Sequence, residues 1–428
     1  MEIHVVIAGE TVEAIAEKYG VSVQKIIQDN ELFNADNLVP GQTIVITYPV
    51  ISHTVQEGDT LESIASSYGI PLLQILRNNP FLVEREYLYP GESLVISYDN
   101  SMGRVITGGF AYPYINRNVL LKILPYLTYL TIFNYTVSRE GEIISYYDDT
   151  ELINTCKAYG VAPLMLLTTL TTRGVPDLNT VYDVLTNEEL QEEYIKKVLE
   201  VVISKGYYGV NLSFNFLNNT NQYLYFNLYN KISQIALEKG VPLLLTINPN
   251  KAFADGRFEY ESVDYSGFKP KNGNITFLTF NWGYNFGPPL PIGSIHDINA
   301  LLENAVNYIA PNKISIGIPV LGYDWELPYV MGFSRATSLT INSVLEIAIS
   351  NDAVIEFDEL SQTPFIRYIE KPSQIPHIIW FVDARSIQAI MKLVTEYGLN
   401  GTGIWNIMNY YAPMWLVINA QYEIIKIL

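Results

Sequence analysis

The sequence predicts an α/β protein, a (β/α)₈ TIM barrel with a small α+β insertion, preceded by two β-α-α-β modules. Three observations lead there. The first hundred residues repeat themselves at a spacing of about 49. Beyond Gly103, apolar runs alternate with amphipathic helical stretches. That alternation is broken once, by a stretch of about 80 residues before its last strand. The chain has 428 residues, room for roughly three domains at about 150 residues each. The divisions read as 1–48, 51–98 and 103–428, with the insertion at about 330–390.

The repeats align Ala8-Gly9-Glu10-Thr11 with Glu57-Gly58-Asp59-Thr60, and Pro40-Gly41 with Pro90-Gly91. Val12, Ile15, Ala16 and Tyr19, like Leu61, Ile64, Ala65 and Tyr68, follow the i, i+3, i+4, i+7 rule of one buried helix face. Asp59 with Glu62 three residues on resembles a capping box. Gly20 and Gly69 stand where a helix ends in a left-handed residue. A second short helix, Asn30 or Asn79, a loop, Pro-Gly and a closing strand complete each unit. The opening strands are read at 4–6 and 53–55, the closing ones at 43–46 and 93–96.

Eight further strands are read at 105–111, 127–135, 162–168, 209–216, 242–248, 275–282, 313–320 and 401–406. Runs such as Pro163-Leu164-Met165-Leu166-Leu167 suit strands buried on both faces. Stretches such as 187–204 and 297–309 supply crossover helices, and eight such units close a barrel whose site lies at the carboxyl ends of the strands. Short strands at 355–358, 365–368 and 377–381 mark the insertion.

Composition excludes several classes of function. Hydrophobic residues at 49% rule out wholesale disorder. A net charge of -18 argues against a nucleic-acid partner, since little here would displace counterions. Residues 1–100 hold 14 acidic and 4 basic side chains, so any polymer they bind is held by short-range contact rather than long-range attraction. One cysteine, Cys156, and four histidines without metal-ligand spacing predict neither disulfides nor a metal site, and no cofactor motif occurs. No run of about 18 apolar residues predicts a membrane span. The opening Met1-Glu2-Ile3-His4 lacks a secretory pattern, so synthesis without a signal peptide, in the cytoplasm, is expected.

The repeats resemble the LysM module. That resemblance implies binding of N-acetylglucosamine glycan, in peptidoglycan or chitin, within each module between the loop after its first strand and the loop before its last: the loops carrying Gly9 and Thr11 and starting at Asn30 in the first, and those carrying Gly58, Asp59 and Thr60 and starting at Asn79-Pro80 in the second. The barrel resembles glycoside hydrolase family 18, closest to its spore-associated branch. The segments carrying that likeness include Gly108-Gly109-Phe110-Ala111-Tyr112-Pro113, Gly209-Val210-Asn211, Trp282-Gly283-Tyr284-Asn285, Gly322-Tyr323-Asp324-Trp325 and Gly403-Ile404-Trp405.

Members of that family use a substrate-assisted route, in which the sugar's acetamido oxygen attacks and a glutamic acid protonates the leaving oxygen. Their DGxDxDxE motif aligns with Tyr208-Gly209-Val210-Asn211-Leu212-Ser213-Phe214-Asn215. The acid therefore falls on Asn215 and its helper aspartate on Ser213. On the sixth strand, Phe280 and Asn281 stand where the family has a tyrosine and a carboxylate. An amide delivers no proton, and general acid catalysis is worth roughly 10²–10⁴-fold. The expectation is a barrel that has given up hydrolysis. Asn211, Ser213, Asn215 and Asn281 are then neutral groups for sugar hydroxyls, with Trp282, Tyr323 and Trp405 as rim and floor. The resemblance implies a protein deposited on the spore, in coat or cortex, with glycan and spore coat proteins as partners. Two alternatives stand beside this reading: an active N-acetylglucosaminidase or chitinase-like hydrolase with a relocated acid, drawn from Asp324, Glu326, Asp358 or Glu359 on loops after strand seven, and a coat assembly scaffold.

Overall fold

The computed structural model describes residues 1–85, 87–138, 142–168, 178–215, 217–254, 257–279, 287–371 and 373–428. Each N-terminal module pairs its first and last strands antiparallel, Glu2–Val5 with Thr43–Ile46 and Ile51–Thr54 with Ser93–Ser97. Two short helices cover each pair, Val12–Tyr19 and Val23–Asn30, then Leu61–Tyr68 and Leu72–Asn78. The expected left-handed caps are present, with φ of 66° at Gly20 and 65° at Gly69.

The capping box is displaced by one residue from its expected place. Thr60 is the N-cap: Ser63 N–H donates to its Oγ1 at 3.1 Å, and Thr60 N–H donates back to Ser63 Oγ at 2.9 Å. Asp59 instead closes the preceding turn, accepting from Gln56 N–H at 2.7 Å and facing His53 Nε2 at 2.8 Å. Glu10 does the same in the first module with Ile7 N–H and His4.

The barrel strands are Arg104–Ala111, Tyr129–Val137, Ala162–Thr168, Gly209–Phe214, Leu243–Ile247, Ile275–Phe277, Ile314–Pro319 and Gly401–Trp405. All neighbours pair in parallel, and the eighth closes on the first. Strand six is shorter than expected, and 280–282 lie outside the described residues. Asn187 caps the helix Glu188–Lys205 through Leu190 N–H, which is why that crossover begins there. Between strands five and six the described residues hold a hairpin, Lys251–Ala254 with Arg257–Tyr260, and no helix. Pro249, Gly256, Gly267, Pro270 and Gly273 punctuate that stretch too often for a helix to propagate. Gly403 has a packing reason: a Cβ there would stand 2.7 Å from Thr276 Cγ2 inside the barrel.

The insertion is a five-stranded antiparallel sheet rather than three short strands. Gly322–Glu326 and Thr337–Leu339 join Glu356–Asp358, Thr363–Ile369 and Pro376–Trp380, with helix Ile341–Ser350 beside them. Asp324 and Glu326 are therefore strand residues, and so is Asp358.

Both modules pack on the flank of the barrel. Val39 and Val45 join the main apolar core, and Val95 and Tyr98 pack with Ala420. Asn419 donates to Asn78 Oδ1 at 2.9 Å in a buried contact. The Pro40-Gly41 turn presses against the insertion, where Ile355 N–H donates to Pro40 at 2.9 Å. A Cβ on Gly41 would lie 2.0 Å from Ile355 O, whereas the matching Gly91 faces open space. Lys122, on the first barrel helix, ties the arrangement: its Nζ lies 2.7 Å from Glu31 of module one and 2.8 Å from Glu84 of module two.

Lys122→Met is expected to lower stability by about 1–2 kcal/mol, because the lysine is nearly buried while both glutamates keep contact with water. Scanning calorimetry checks this. An unchanged transition would mean that apolar packing alone holds the modules in place.

Candidate functional site at the barrel mouth

Alternation along strand four sends Asn211, Ser213 and Asn215 inward, and all three are buried. Asn211 lies deepest in this hydrogen-bond set. Its Nδ2 donates to Thr131 Oγ1 on strand two at 3.1 Å, and its Oδ1 accepts from Thr246 Oγ1 on strand five at 2.9 Å. Asn215, just past the strand's end, reaches Thr168 Oγ1 of strand three at 3.5 Å, and its carbonyl accepts from Tyr225 OH at 2.5 Å. Ser213 sits between them, and its buried Oγ has no partner among the described residues. None of the eight barrel strands contains an aspartate or glutamate. Among the described residues the polar lining contributed by these strands is neutral, which removes the desolvation penalty of a buried charge.

Above these residues the strand ends meet the insertion in an apolar cluster that includes Phe110, Phe133, Tyr323, Trp325, Trp380 and Trp405. Trp405 ends strand eight with its ring 5.4 Å from Phe110. Tyr323 and Trp325 alternate with Asp324 and Glu326 along their strand, so the aromatic pair joins the mouth cluster. Asp324 is committed elsewhere, accepting from Tyr368 OH at 2.8 Å and lying 3.0 Å from His377 Nδ1. Asp358 holds the Ser361 turn, and Glu359 pairs with Gln362 on the surface. Of the four candidates for a relocated acid, Asp324, Asp358 and Glu359 are thus engaged elsewhere, and Glu326 is an exposed strand residue.

The structure thus brings Asn211, Ser213, Asn215, Tyr323 and Trp405 to one place. Phe280, Asn281 and Trp282 lie outside the described residues. A row of aromatic rings had not been singled out from the sequence. Phe133 packs on Tyr112 at 5.0 Å, Tyr112 stacks on Tyr114 at 5.3 Å, and Tyr114 meets Tyr147 at 5.4 Å. Burial pushes the Tyr112 hydroxyl up to about 12, while Tyr114 and Tyr147 are half exposed. The signal was available, since Tyr112 and Tyr114 directly follow strand one and Tyr147 follows strand two. Trp380 adds a buried indole Nε1 without a partner among the described residues.

In the modules the expected sugar contacts at Asn30 and Asn79 need correction. Asn30 and Asn79 are buried, and their amides are consumed internally. Each donates to two carbonyls, Ile26 and Val45 or Ile75 and Val95, and each accepts from the N–H of Val45 or Val95. They tie the second helix to the closing strand. Thr11 and Thr60 cap helices and Asp59 closes a turn, which is reason enough for these residue types. Gly9 and Gly58 turn the chain at φ of 78° and 90° beside open space. Pro80 opens the short 3₁₀ helix Pro80–Glu84.

Residues 177–409 match the model of the glycosyl hydrolases family 18, and residues 4–47 and 53–97 each match the LysM domain. The chain belongs to glycosyl hydrolase family 18. It is similar to the cortical fragment-lytic enzyme of Bacillus subtilis, 31% identical over 434 residues that span 100% of this chain and 99% of the relative. The cortical fragment-lytic enzyme of Bacillus anthracis is 28% identical, again across 100% of this chain and 99% of its own. Among solved structures, the spore cortex-lytic enzyme SleL of Bacillus megaterium QM B1551 superposes with a TM-score of 0.79 at 27% identity, covering 100% of this chain and 99% of that one. SleL of Bacillus cereus gives 0.79 at 25%, covering 99% and 98%. The family 18 barrel and its two LysM domains therefore recur in this order across whole relatives.

Asn79→Ala is expected to cost about 2–4 kcal/mol, since it strands buried donors and acceptors on Ile75 and Val95. Thermal denaturation of the purified chain checks it. Unchanged stability with weakened glycan binding would return the residue to a ligand-facing role.

Proposed function

We propose that this chain binds N-acetylglucosamine-containing glycan, that of spore peptidoglycan or a chitin-like polymer, and holds it without cleaving it. One observation carries the reading: an amide, Asn215, stands where the family's proton donor belongs, on a barrel whose strands hold no carboxylate. Without a donor at the leaving oxygen, and without a charge at Ser213 to steady the developing cation, the step of roughly 10²–10⁴-fold that a general acid supplies is lost.

The mouth keeps what binding needs. Neutral amide and hydroxyl groups suit sugar hydroxyls and N-acetyl groups, and the exposed Tyr114 and Tyr147, backed by Tyr112 and the buried Phe133, offer apolar ring surface to sugars. Ser213 Oγ and Trp380 Nε1, which have no partner among the described residues, are polar atoms whose burial is unfavourable until something hydrogen-bonds to them. Two LysM domains and relatives that are spore cortex-lytic enzymes support the spore wall as the setting, with the chain acting at cortex or coat. Coat proteins are the further partners this setting offers.

The full chain is expected to sediment with insoluble peptidoglycan. The pair Ser213→Asp with Asn215→Glu should gain slow cleavage, because it restores the acid and its helper to a mouth that already seats the sugar. Retention in the supernatant would sink the binding reading. Retained binding with no gain of cleavage would put the bound sugar somewhere other than the mouth.

A further inference from the structure

Beside the barrel mouth lies a second concavity that the family resemblance does not assign. It is a cleft of about 260 Å³ walled by the barrel on one side and by Glu31 of the first LysM domain and Glu84 of the second on the other. Resting on the glycan-binding reading, we infer that this cleft is a further saccharide site that takes one neutral sugar unit and links the barrel mouth to the LysM domains.

Position is the first argument. The cleft is lined by Val320, just past strand seven, whose N–H donates to the Trp405 carbonyl at 3.1 Å. Asn409, Tyr410 and Tyr411 follow strand eight, so the cleft opens on the same barrel end as the site around Trp405. A separate pocket of about 40 Å³, lined by Leu32 and Phe33 of the first LysM domain, shares Tyr410 and Tyr411 with it.

Chemistry is the second argument. The amides of Asn118, Asn342 and Asn409 line the cleft, are exposed, and make no side-chain amide hydrogen bond among the described residues. Three free amides around one small volume match a ligand that presents hydroxyl and acetamido groups at its edge. Val119, Val320 and Ile341 supply the apolar surface that such a ligand also needs, beside the Tyr410 ring over which the Lys122 ammonium lies at 5.4 Å. The volume lies just below the roughly 300–1,000 Å³ of small-molecule pockets, which suits a single sugar unit rather than a long stretch.

Charge chooses among sugars. Lys122 is held by both glutamates, and the three groups together carry one negative charge. No cation is left to receive a carboxylate, and a carboxylate brought here meets Glu31 and Glu84. The occupant is therefore an uncharged N-acetylated unit, not an acidic one.

Hydrogen–deuterium exchange on the full chain tests this. Chitotetraose is expected to slow exchange in 340–345 and 407–411. The exposed double substitution Asn342→Ala with Asn409→Ala should raise the concentration for half protection roughly tenfold, the loss of two hydrogen bonds. Tetragalacturonate, equal in length but acidic, should protect neither segment. Protection confined to the mouth or the LysM loops, or equal protection in the variant, would overturn the cleft and leave the glycan-binding reading standing. Equal protection by tetragalacturonate would overturn the neutral assignment. No protection anywhere, together with failure to sediment with peptidoglycan, would remove both readings.

Discussion

The closed barrel imposes the constraint from which the rest follows: whatever alternates inward from its strands is cut off from water. A charge there is tolerated only beside a partner, whereas neutral amides and hydroxyls can satisfy one another. Asn211 does this directly, joining strand four to Thr131 on strand two and Thr246 on strand five. With no aspartate or glutamate on any of the eight strands, the described part of the interior needs no counter-ion. On the proposed reading, a lining suited to packing and to hydrogen-bonding a sugar lacks the carboxyl group that would protonate a leaving oxygen.

Position on the scaffold then matters more than reactivity. The LysM domains are not loosely tethered, because Lys122, the Asn78–Asn419 contact and the Gly41–Ile355 turn fix them against one flank of the barrel. This brings the residues after Asn30 of the first domain and the short helix of the second next to the loops that follow strands seven and eight. The aromatic row of Tyr112, Tyr114 and Tyr147 extends from the mouth along the loops after strands one and two. A polymer lying across the mouth would meet flat rings along one direction and amides along another.

Much of this was legible in the sequence, for physical reasons that differ by element. The barrel strands were readable because doubly buried strands are continuous apolar runs, and the run at Ala162–Thr168 has the bounds expected of it. The amide at Asn215 was readable against the family's motif because a motif on one strand has a single register. Other features were hidden. Gly322–Glu326 carries a period-two pattern, but its charged alternate residues and its nearness to strand seven gave it the look of a loop. Asp59 and Thr60 are both good caps, and only backbone geometry decides between them. Asn30 and Asn79 look like surface amides until their backbone partners, 15 and 16 residues away, are placed. The partnership of Lys122 with Glu31 spans 91 residues, and no local pattern announces it.

Oxygen exchange tests most directly the claim that this mouth holds glycan without turning it over. Cortex fragments incubated with saturating protein in ¹⁸O-labelled water, then examined by mass spectrometry, are expected to keep their chain length and to gain no label at reducing ends beyond that of fragments incubated alone. Label appearing at new reducing ends in proportion to added protein would contradict the account, because it requires a proton donor that the neutral strands do not provide.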